Sequence, residues 1–172
     1  MLRILTTALV SMALLAACSP TFNWREVRSE TGGLRAMMPC KPDKESRVVP
    51  MGGRDVDLKV LGCGTGDATF ALLSADIVNA GRADEVLGQW KRATLANLHS
   101  VAAREAAFVP AGALALPASL QVVATGRRPD GSRVESHAAY FARGGHVFQA
   151  VIYSDRLVPE VAETFFSGIG FE

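Results

Sequence analysis

The chain has 172 residues, and its 18 lysine and arginine side chains nearly balance 17 aspartate and glutamate side chains. A chain of this length is typical of one domain. Domains that hold nucleic acid or an anionic membrane surface through charge usually carry a clear basic excess. The near-neutral balance therefore disfavours both kinds of partner, and no nucleic-acid partner is predicted.

The first 17 residues have the layout of a secretory signal peptide. Arg3 supplies a short basic head, and an apolar stretch runs from Ile4 to Leu15. This stretch is shorter than the roughly 20 apolar residues of a bilayer-spanning helix, so we expect residues 1–17 to be removed; an uncleaved apolar anchor is the alternative. Removal takes one of the 18 basic residues and none of the 17 acidic residues, which leaves 17 of each.

The end of this segment, Leu15-Ala16-Ala17-Cys18, resembles the lipobox of bacterial lipoproteins. The resemblance implies that the chain is cut before Cys18 and that the thiol of Cys18 carries a diacylglycerol, while an ordinary secretory signal is the alternative. Several acyl chains bind a bilayer firmly. Ser19 stands where relatives retained in the inner membrane often carry Asp, which favours the outer membrane, facing the periplasm. Residues 18–21 then form a lipidated tether, and residues 22–172 form a single globular domain.

The predicted elements of that domain alternate between strands and helices. The first strand signals are Leu34–Met38, Arg47–Met51, Asp55–Leu61 and the apolar run Ala68–Ala75. An amphipathic helix follows from Ala83 to about Ala103, with Val101 on its apolar face. Three further strands are predicted at Leu120–Thr125, Val134–Ala142 and Val147–Tyr153, and a short helix begins at Pro159. This order predicts an α+β fold, with an antiparallel sheet on which one long central helix and a short C-terminal helix pack.

Once Cys18 carries the lipid, Cys40 and Cys63 are the two cysteines that remain available to pair. In an oxidising compartment two such cysteines favour a disulfide, and two buried free thiols are the alternative. If Gly52-Gly53 forms the turn of a hairpin, Val49 faces Val56, and Cys40 lies within two residues of the position opposite Cys63. A bridge closing this loop contributes about 3.5 kcal/mol in the chain-entropy relation.

The segment from Val60 to Asp67 resembles the glycine-rich first motif of S-adenosylmethionine-dependent methyltransferases. In those enzymes a strand delivers the glycine loop and a helix follows at once. Here the residues after Gly62–Gly66 predict a strand, and Asp76 comes too early to meet a ribose across an intervening helix. We therefore interpret the glycines as part of a hairpin and predict no cofactor.

The histidines and a group of arginines are two further candidates for a binding site. The three histidines, His99, His137 and His146, have no metal-cluster spacing, so no metal is predicted. Arg127, Arg128 and Arg133 bracket a predicted hairpin tip, where a two-residue turn sets Arg128 opposite Arg133. Like charges opposite each other are mildly destabilising, which suggests an anionic partner. The favoured alternative is a hairpin end that is simply exposed to solvent.

The whole layout resembles the PsbP-like α/β/α sandwich, also seen in Mog-type Ran-binding proteins and in small bacterial lipoproteins. The likeness rests on the opening strand Leu34–Met38 before Pro39, the hairpin, the long helix, three strands and a closing helix with Phe165-Phe166. It implies a non-catalytic binding or accessory module of the envelope, with an envelope protein as partner. No residue has a nucleophile-elbow pattern, so no catalytic residue is predicted. An envelope enzyme with an unrecognised site and a structural lipoprotein contacting cell wall or outer-membrane proteins are the alternatives.

Overall fold

The computed structural model describes residues 21–172, which form a mixed α+β fold built on antiparallel sheets. The predicted signal peptide and Cys18 lie outside the described residues. In chain order the elements are β1 (Arg25–Arg28), β2 (Leu34–Met38), β3 (Asp43–Met51), β4 (Arg54–Thr65), β5 (Ala68–Asp76), a 3-10 turn (Ala80–Arg82), α1 (Ala83–Asn97), β6 (Ala102–Ala107), β7 (Leu120–Arg127), β8 (Arg133–Arg143), β9 (His146–Ser154), α2 (Pro159–Ser167) and β10 (Gly170–Phe171).

The larger sheet has the strand order β3-β4-β5-β9-β8-β7-β6, and every neighbouring pair in it is antiparallel. The smaller sheet has the order β1-β2-β10. Gly52 and Gly53 both have positive φ angles, 62° and 84°, as a tight two-residue turn requires. Val49 faces Val56 across the resulting hairpin, so the predicted register is confirmed.

One face of the larger sheet is covered by the smaller sheet and α2. Phe70, Phe141, Phe148 and Phe165 are all fully buried there. The rings of Phe141 and Phe148 stack with centroids 5.4 Å apart, and Phe70 meets Phe165 edge to face at the same distance. Aromatic side chains that bury this much surface dominate core energetics, so we call this side the aromatic face.

The other face carries α1. Asp84 and Glu85 lie in the first turn of this helix, where carboxylates favour the helix dipole, and Val86 and Leu87 are buried against the sheet. The helix contacts β8 and β9. Strands β3, β4 and β5 extend beyond it, so this side of the sheet is only partly covered.

The predicted end of the long helix was wrong, and three strands, β1, β6 and β10, were not predicted. The long helix ends at Asn97 instead of about Ala103, and a further strand, β6, begins at Ala102. His99 adopts a positive φ of 49°, which helices do not tolerate, and the Arg127 amide donates to the Leu98 carbonyl, fixing the helix end against β7. Val101 is 96% exposed and packs on no helix face. Strand β1 was missed because Arg25–Arg28 carries only one apolar residue.

The N-terminal end of the described chain is attached to the aromatic face. Phe22 and Trp24 pack edge to face on Phe70, and the Thr65 hydroxyl donates to the Thr21 carbonyl. Two hydrophobic core clusters join both sheets and both helices of residues 21–172, so we expect this segment to fold by itself. Neither of its α-helices is long and apolar enough to cross a bilayer.

Candidate functional site: a cleft between the helix and the sheet

The uncovered part of the sheet forms the floor of a cleft of about 850 Å³ beside α1. This volume lies within the range of roughly 300–1,000 Å³ that is typical of small-molecule sites. The floor consists of aliphatic side chains from four strands: Val49, Leu58, Val60, Ala71, Leu73 and Val151. Leu58, Leu73 and Val151 are buried by their neighbours, whereas Val49, Val60 and Ala71 are half-buried, so these last three form the accessible part of the apolar floor.

The wall of the cleft is the side of α1 that faces β3. Trp90, Thr94 and Leu98, spaced four residues apart, line it and fall on one side of the helix. Trp90 is half-buried, and its ring meets the fully buried Tyr140 ring edge to face with centroids 6.4 Å apart. This contact fixes one side of the indole, and the remaining surface of the indole lines the cleft.

One fixed polar group lies between the wall and the floor. The Gln149 amide nitrogen donates to the Tyr140 hydroxyl at 3.0 Å and to the Thr94 hydroxyl at 3.2 Å. Burial raises the pKa of Tyr140 to about 12, so its hydroxyl stays neutral at physiological pH. A buried amide held by two partners keeps one orientation, and Gln149 therefore presents a rigid polar point in an otherwise apolar surface.

Among the described residues, the charged groups that line the cleft are all arginines. Arg127 and Arg128 lie at the β7–β8 tip, and Arg47 projects from β3. Arg47 and Tyr153 both line the cleft, where burial raises the pKa of Tyr153 and the positive charge of Arg47 opposes that rise. Among the described lining residues there is no carboxylate, imidazole or thiol. The cleft thus combines an apolar floor with a positive potential.

Of the three predicted arginines, Arg127 and Arg128 line the cleft and Arg133 does not. The register of their hairpin also differs from the prediction. The tip has a three-residue loop, Pro129-Asp130-Gly131, so Arg128 faces Ser132 and Arg127 faces Arg133. The longer loop forms because Gly131 takes a φ of 85° and the Asp130 carboxylate accepts the Ser132 amide.

Each of the three arginines has a different environment. Arg128 pairs with Asp155 at 2.7 Å, and Arg133 pairs with Glu135 at 3.2 Å, outside the cleft. Arg127 donates to the Gly131 carbonyl at 2.9 Å and makes no ion pair within residues 21–172. Arg127 and Arg128 therefore belong to the site, and Arg133 does not.

The histidines are placed apart from one another. His99 is at the end of α1, His137 lies on the aromatic face with its ring 4.5 Å from that of Phe166, and His146 pairs with Asp76. Burial lowers the pKa of His137 to about 4, so this ring is neutral at physiological pH. No group of three metal-binding side chains occurs within residues 21–172.

The predicted disulfide and the predicted hairpin at the glycine-rich segment are both present. Cys40 and Cys63 are joined in a disulfide, with their Cα atoms 6.0 Å apart, as predicted. Gly62 and Gly64 lie within β4, and Gly66-Asp67 form the turn into β5, with Thr65 facing Ala68. No helix follows the glycines, so the hairpin interpretation is confirmed.

Sequence reasoning did not find the cleft, since its lining comes from residues more than 100 positions apart. Two signals were available: the segment Ala68–Ala75, whose apolar side chains on both faces predicted a central strand, and the possible binding group that includes Arg127 and Arg128. Comparison with protein-family models and with curated proteins gave no match.

Proposed function

We propose that this chain is a membrane-anchored lipoprotein of the bacterial cell envelope whose domain acts as a non-catalytic binding module. The observation that carries the proposal is the open cleft of about 850 Å³ with an aliphatic floor, a half-buried tryptophan and an arginine end. Small-molecule sites combine an apolar lining with a few placed polar groups in this way. The ligand is therefore a molecule with an apolar body.

The anchor in this proposal is lipid on Cys18, with the domain facing the periplasm. Support comes from the lipobox-like residues before Cys18 and from the short distance to the folded part of the chain. Thr21 is already bonded to Thr65, so only Ser19 and Pro20 separate Cys18 from the domain. An anchored domain would thus stay close to the bilayer surface.

Intact mass spectrometry of protein purified from membranes tests the anchor. We expect a mass for residues 18–172 plus lipid, and alkylation of Cys40 and Cys63 only after reduction. A full-length mass without lipid would refute the anchored part of the proposal.

The finer fold in this proposal is the PsbP-like sandwich. The supporting arrangement has α1 on one face of the larger sheet and α2 with the small sheet on the other. Fold likeness alone is weak support for function. It is consistent with an accessory role beside an envelope protein partner.

An envelope enzyme would need a reactive group in a polar pocket. The histidine with a strongly lowered pKa, His137, lies on the aromatic face against Phe166 and not in the cleft.

A structural lipoprotein would need a large exposed apolar patch. The exposed large hydrophobic side chains within residues 21–172 are spread over separate elements, for example Val48 on β3, Val101 before β6 and Val158 before α2. Neither alternative gains a specific observation.

A neutral fluorescent probe of apolar sites, N-phenylnaphthylamine, tests binding to residues 21–172. Ala71 lies on the floor, and Ala71→Phe places a ring in the cleft, whereas Ala106→Phe places the same ring on the exposed strand β6. We expect saturable binding by the wild type, at least about tenfold weaker binding by Ala71→Phe, and no change with Ala106→Phe. Equal binding by all three proteins would refute the cleft as the site.

A further inference from the structure

We propose that the cleft binds a single-chain anionic amphiphile, with the acyl chain on the aliphatic floor and the phosphate or carboxylate at the end formed by Arg127 and Arg128. This inference rests on the proposed binding function and specifies its ligand. It is argued from the charge of the lining, the placement of the arginines and the position of the cleft relative to the tether.

The charge of the lining is one-sided. Three arginines and no carboxylate are among the described residues that form it. Arg127 and Arg47 make no ion pair within residues 21–172, so the protein itself neutralises only the third, Arg128. Guanidinium groups bind phosphate and carboxylate in bidentate fashion. An anionic headgroup is the ligand chemistry that completes this end of the cleft.

Arg127 and Arg128 are held in place by the hairpin that carries them. The Arg127 guanidinium donates to the Gly131 carbonyl at 2.9 Å, and the Arg128 guanidinium donates to the Arg133 carbonyl at 2.8 Å. Arg127 also faces Arg133 across the strands, and like charges in this position repel. Arg133 pairs with Glu135 outside the cleft, so Arg127 is the member of this facing pair that a bound anion can neutralise.

The apolar part of the ligand is set by the shape of the floor. The cleft follows the part of α1 from Gln89 to Asn97, which spans about 13 Å. Its arginine end is at the C-terminus of α1, where the Leu98 carbonyl accepts the Arg127 amide, and Gly52 and Gly53 also line it. An apolar surface with charge at one end fits one acyl chain with a headgroup.

The tether and the cleft are on opposite faces of the sheet but at the same end. Phe22 and Trp24, which follow the tether, pack on the aromatic face, so this N-terminal part of the domain does not fill the cleft. Thr65, which holds Thr21, is in the same row of the sheet as Glu135, through Ala68 and Ser154. The β7–β8 tip continues beyond Glu135, so an anchored domain turns the arginine end toward the membrane, where amphiphiles reside.

The test compares headgroups on residues 21–172, with ligands kept below the concentration at which they form micelles. Lysophosphatidylglycerol and palmitate are anionic, and lysophosphatidylcholine is the zwitterionic control. Each is titrated against bound N-phenylnaphthylamine. We expect both anionic amphiphiles to displace the probe at concentrations about tenfold lower than lysophosphatidylcholine, and their relative strength distinguishes a phosphate from a carboxylate ligand.

Charge-removing variants separate the headgroup site from the floor. The double variant Arg127→Gln/Arg128→Gln should weaken binding of the anionic amphiphiles by about tenfold more than it weakens binding of the neutral probe. The matched control Arg92→Gln/Arg104→Gln removes two exposed arginines outside the cleft and should change neither.

Two results would overturn this inference while leaving the binding function intact. One is equal affinity for charged and zwitterionic headgroups, or unchanged affinity in the Arg127→Gln/Arg128→Gln variant, with normal probe binding. The other is displacement of the probe by an amphipathic helical peptide but by none of the lipids. Failure of the wild type to bind the neutral probe at all would instead overturn the binding function itself.

Discussion

The two faces of the seven-stranded sheet are packed in different ways although the same strands supply both. On the aromatic face, Phe70, Phe141 and Phe148 are fully buried beneath α2 and the small sheet. On the opposite face, β3–β5 present mostly valine, leucine and alanine to a cleft that α1 does not cover. Large rings fill the space between layers on one side, and small side chains leave it open on the other.

This difference indicates a division of roles. A closely packed face supplies most of the free energy of folding, because each buried aromatic side chain removes a large apolar surface from water. An apolar floor exposed in a cleft contributes less to stability and remains available to a ligand. Substitutions on the two faces should therefore have different consequences, which the following predictions use.

The largest effect is expected on the aromatic face. Phe148→Ala removes a ring that stacks on Phe141, and it should lower the free energy of unfolding by about 3–5 kcal/mol. On the cleft face, Val60 is half-buried, and Val60→Ala should cost about 1 kcal/mol or less. Urea unfolding followed by circular dichroism measures both values. Similar losses in the two variants would remove the distinction between the faces.

Removal of the disulfide is expected to cause the next largest loss in the free energy of unfolding. It joins Cys40, just after β2 of the small sheet, to Cys63 on β4 of the large sheet, so it links the two layers on the aromatic side. The bridged positions are 23 residues apart, and the double variant Cys40→Ser/Cys63→Ser should lose about 3.5 kcal/mol.

The same chemical denaturation measures this loss, with reduction of the wild type as an independent control. The double variant should still bind N-phenylnaphthylamine under native conditions, since neither cysteine lines the cleft. Loss of the probe from a variant that remains folded would show that the two faces depend on each other.

A smaller, pH-dependent effect is expected from His137 on the aromatic face. Burial lowers its pKa from 6.5 to about 4, so below pH 6.5 the unfolded chain binds a proton that the folded chain does not. The contribution of this histidine to stability is complete above pH 6.5 and is lost as the pH falls toward 4. Because the ring is only half-buried, solvent screening reduces the loss to about 1–2 kcal/mol.

Urea unfolding at pH 7 and at pH 4.5, compared between the wild type and His137→Phe, measures this contribution. Exposed carboxylates with lowered pKa values, such as Glu30 and Glu85, also lose stabilisation in acid, but they do so equally in both proteins. The wild type should lose more stability than the variant between the two pH values. An equal loss in both would mean that His137 is solvated in the folded protein.

The sequence predicted most of the sheet because its signals are local. Alternating apolar residues mark β4, and a pair of glycines fixes the register of the β3–β4 hairpin, so one turn places every pair from Met51–Arg54 to Asp43–Gly62. The disulfide followed from the same register. The end of α1 was missed because the helical spacing of apolar residues continues through Val101, whereas the turn at His99 is fixed by a tertiary hydrogen bond between Leu98 and Arg127.

The cleft was beyond sequence reasoning for a different reason. It exists because α1 has most of its contacts with β8 and β9 and leaves part of β3–β5 uncovered, and that placement is decided by packing between distant elements. Arg127 and Arg128 were selected as a possible binding group from their hairpin. Their connection to Trp90 and to the floor appears only when the strands are assembled. Gln149 carried no signal at all, because a single polar residue in an apolar strand does not indicate which face it occupies.

The measurement that tests the central claim most directly is the stability of two matched variants. Ala71 is on the cleft floor, and Ala150 is fully buried on the aromatic face one strand away. We expect Ala71→Phe to remain within about 0.5 kcal/mol of the wild-type free energy of unfolding and Ala150→Phe to lose about 1–3 kcal/mol or more. An equal loss in both variants would show that the cleft face is closed and packed in solution, which would contradict a binding site there.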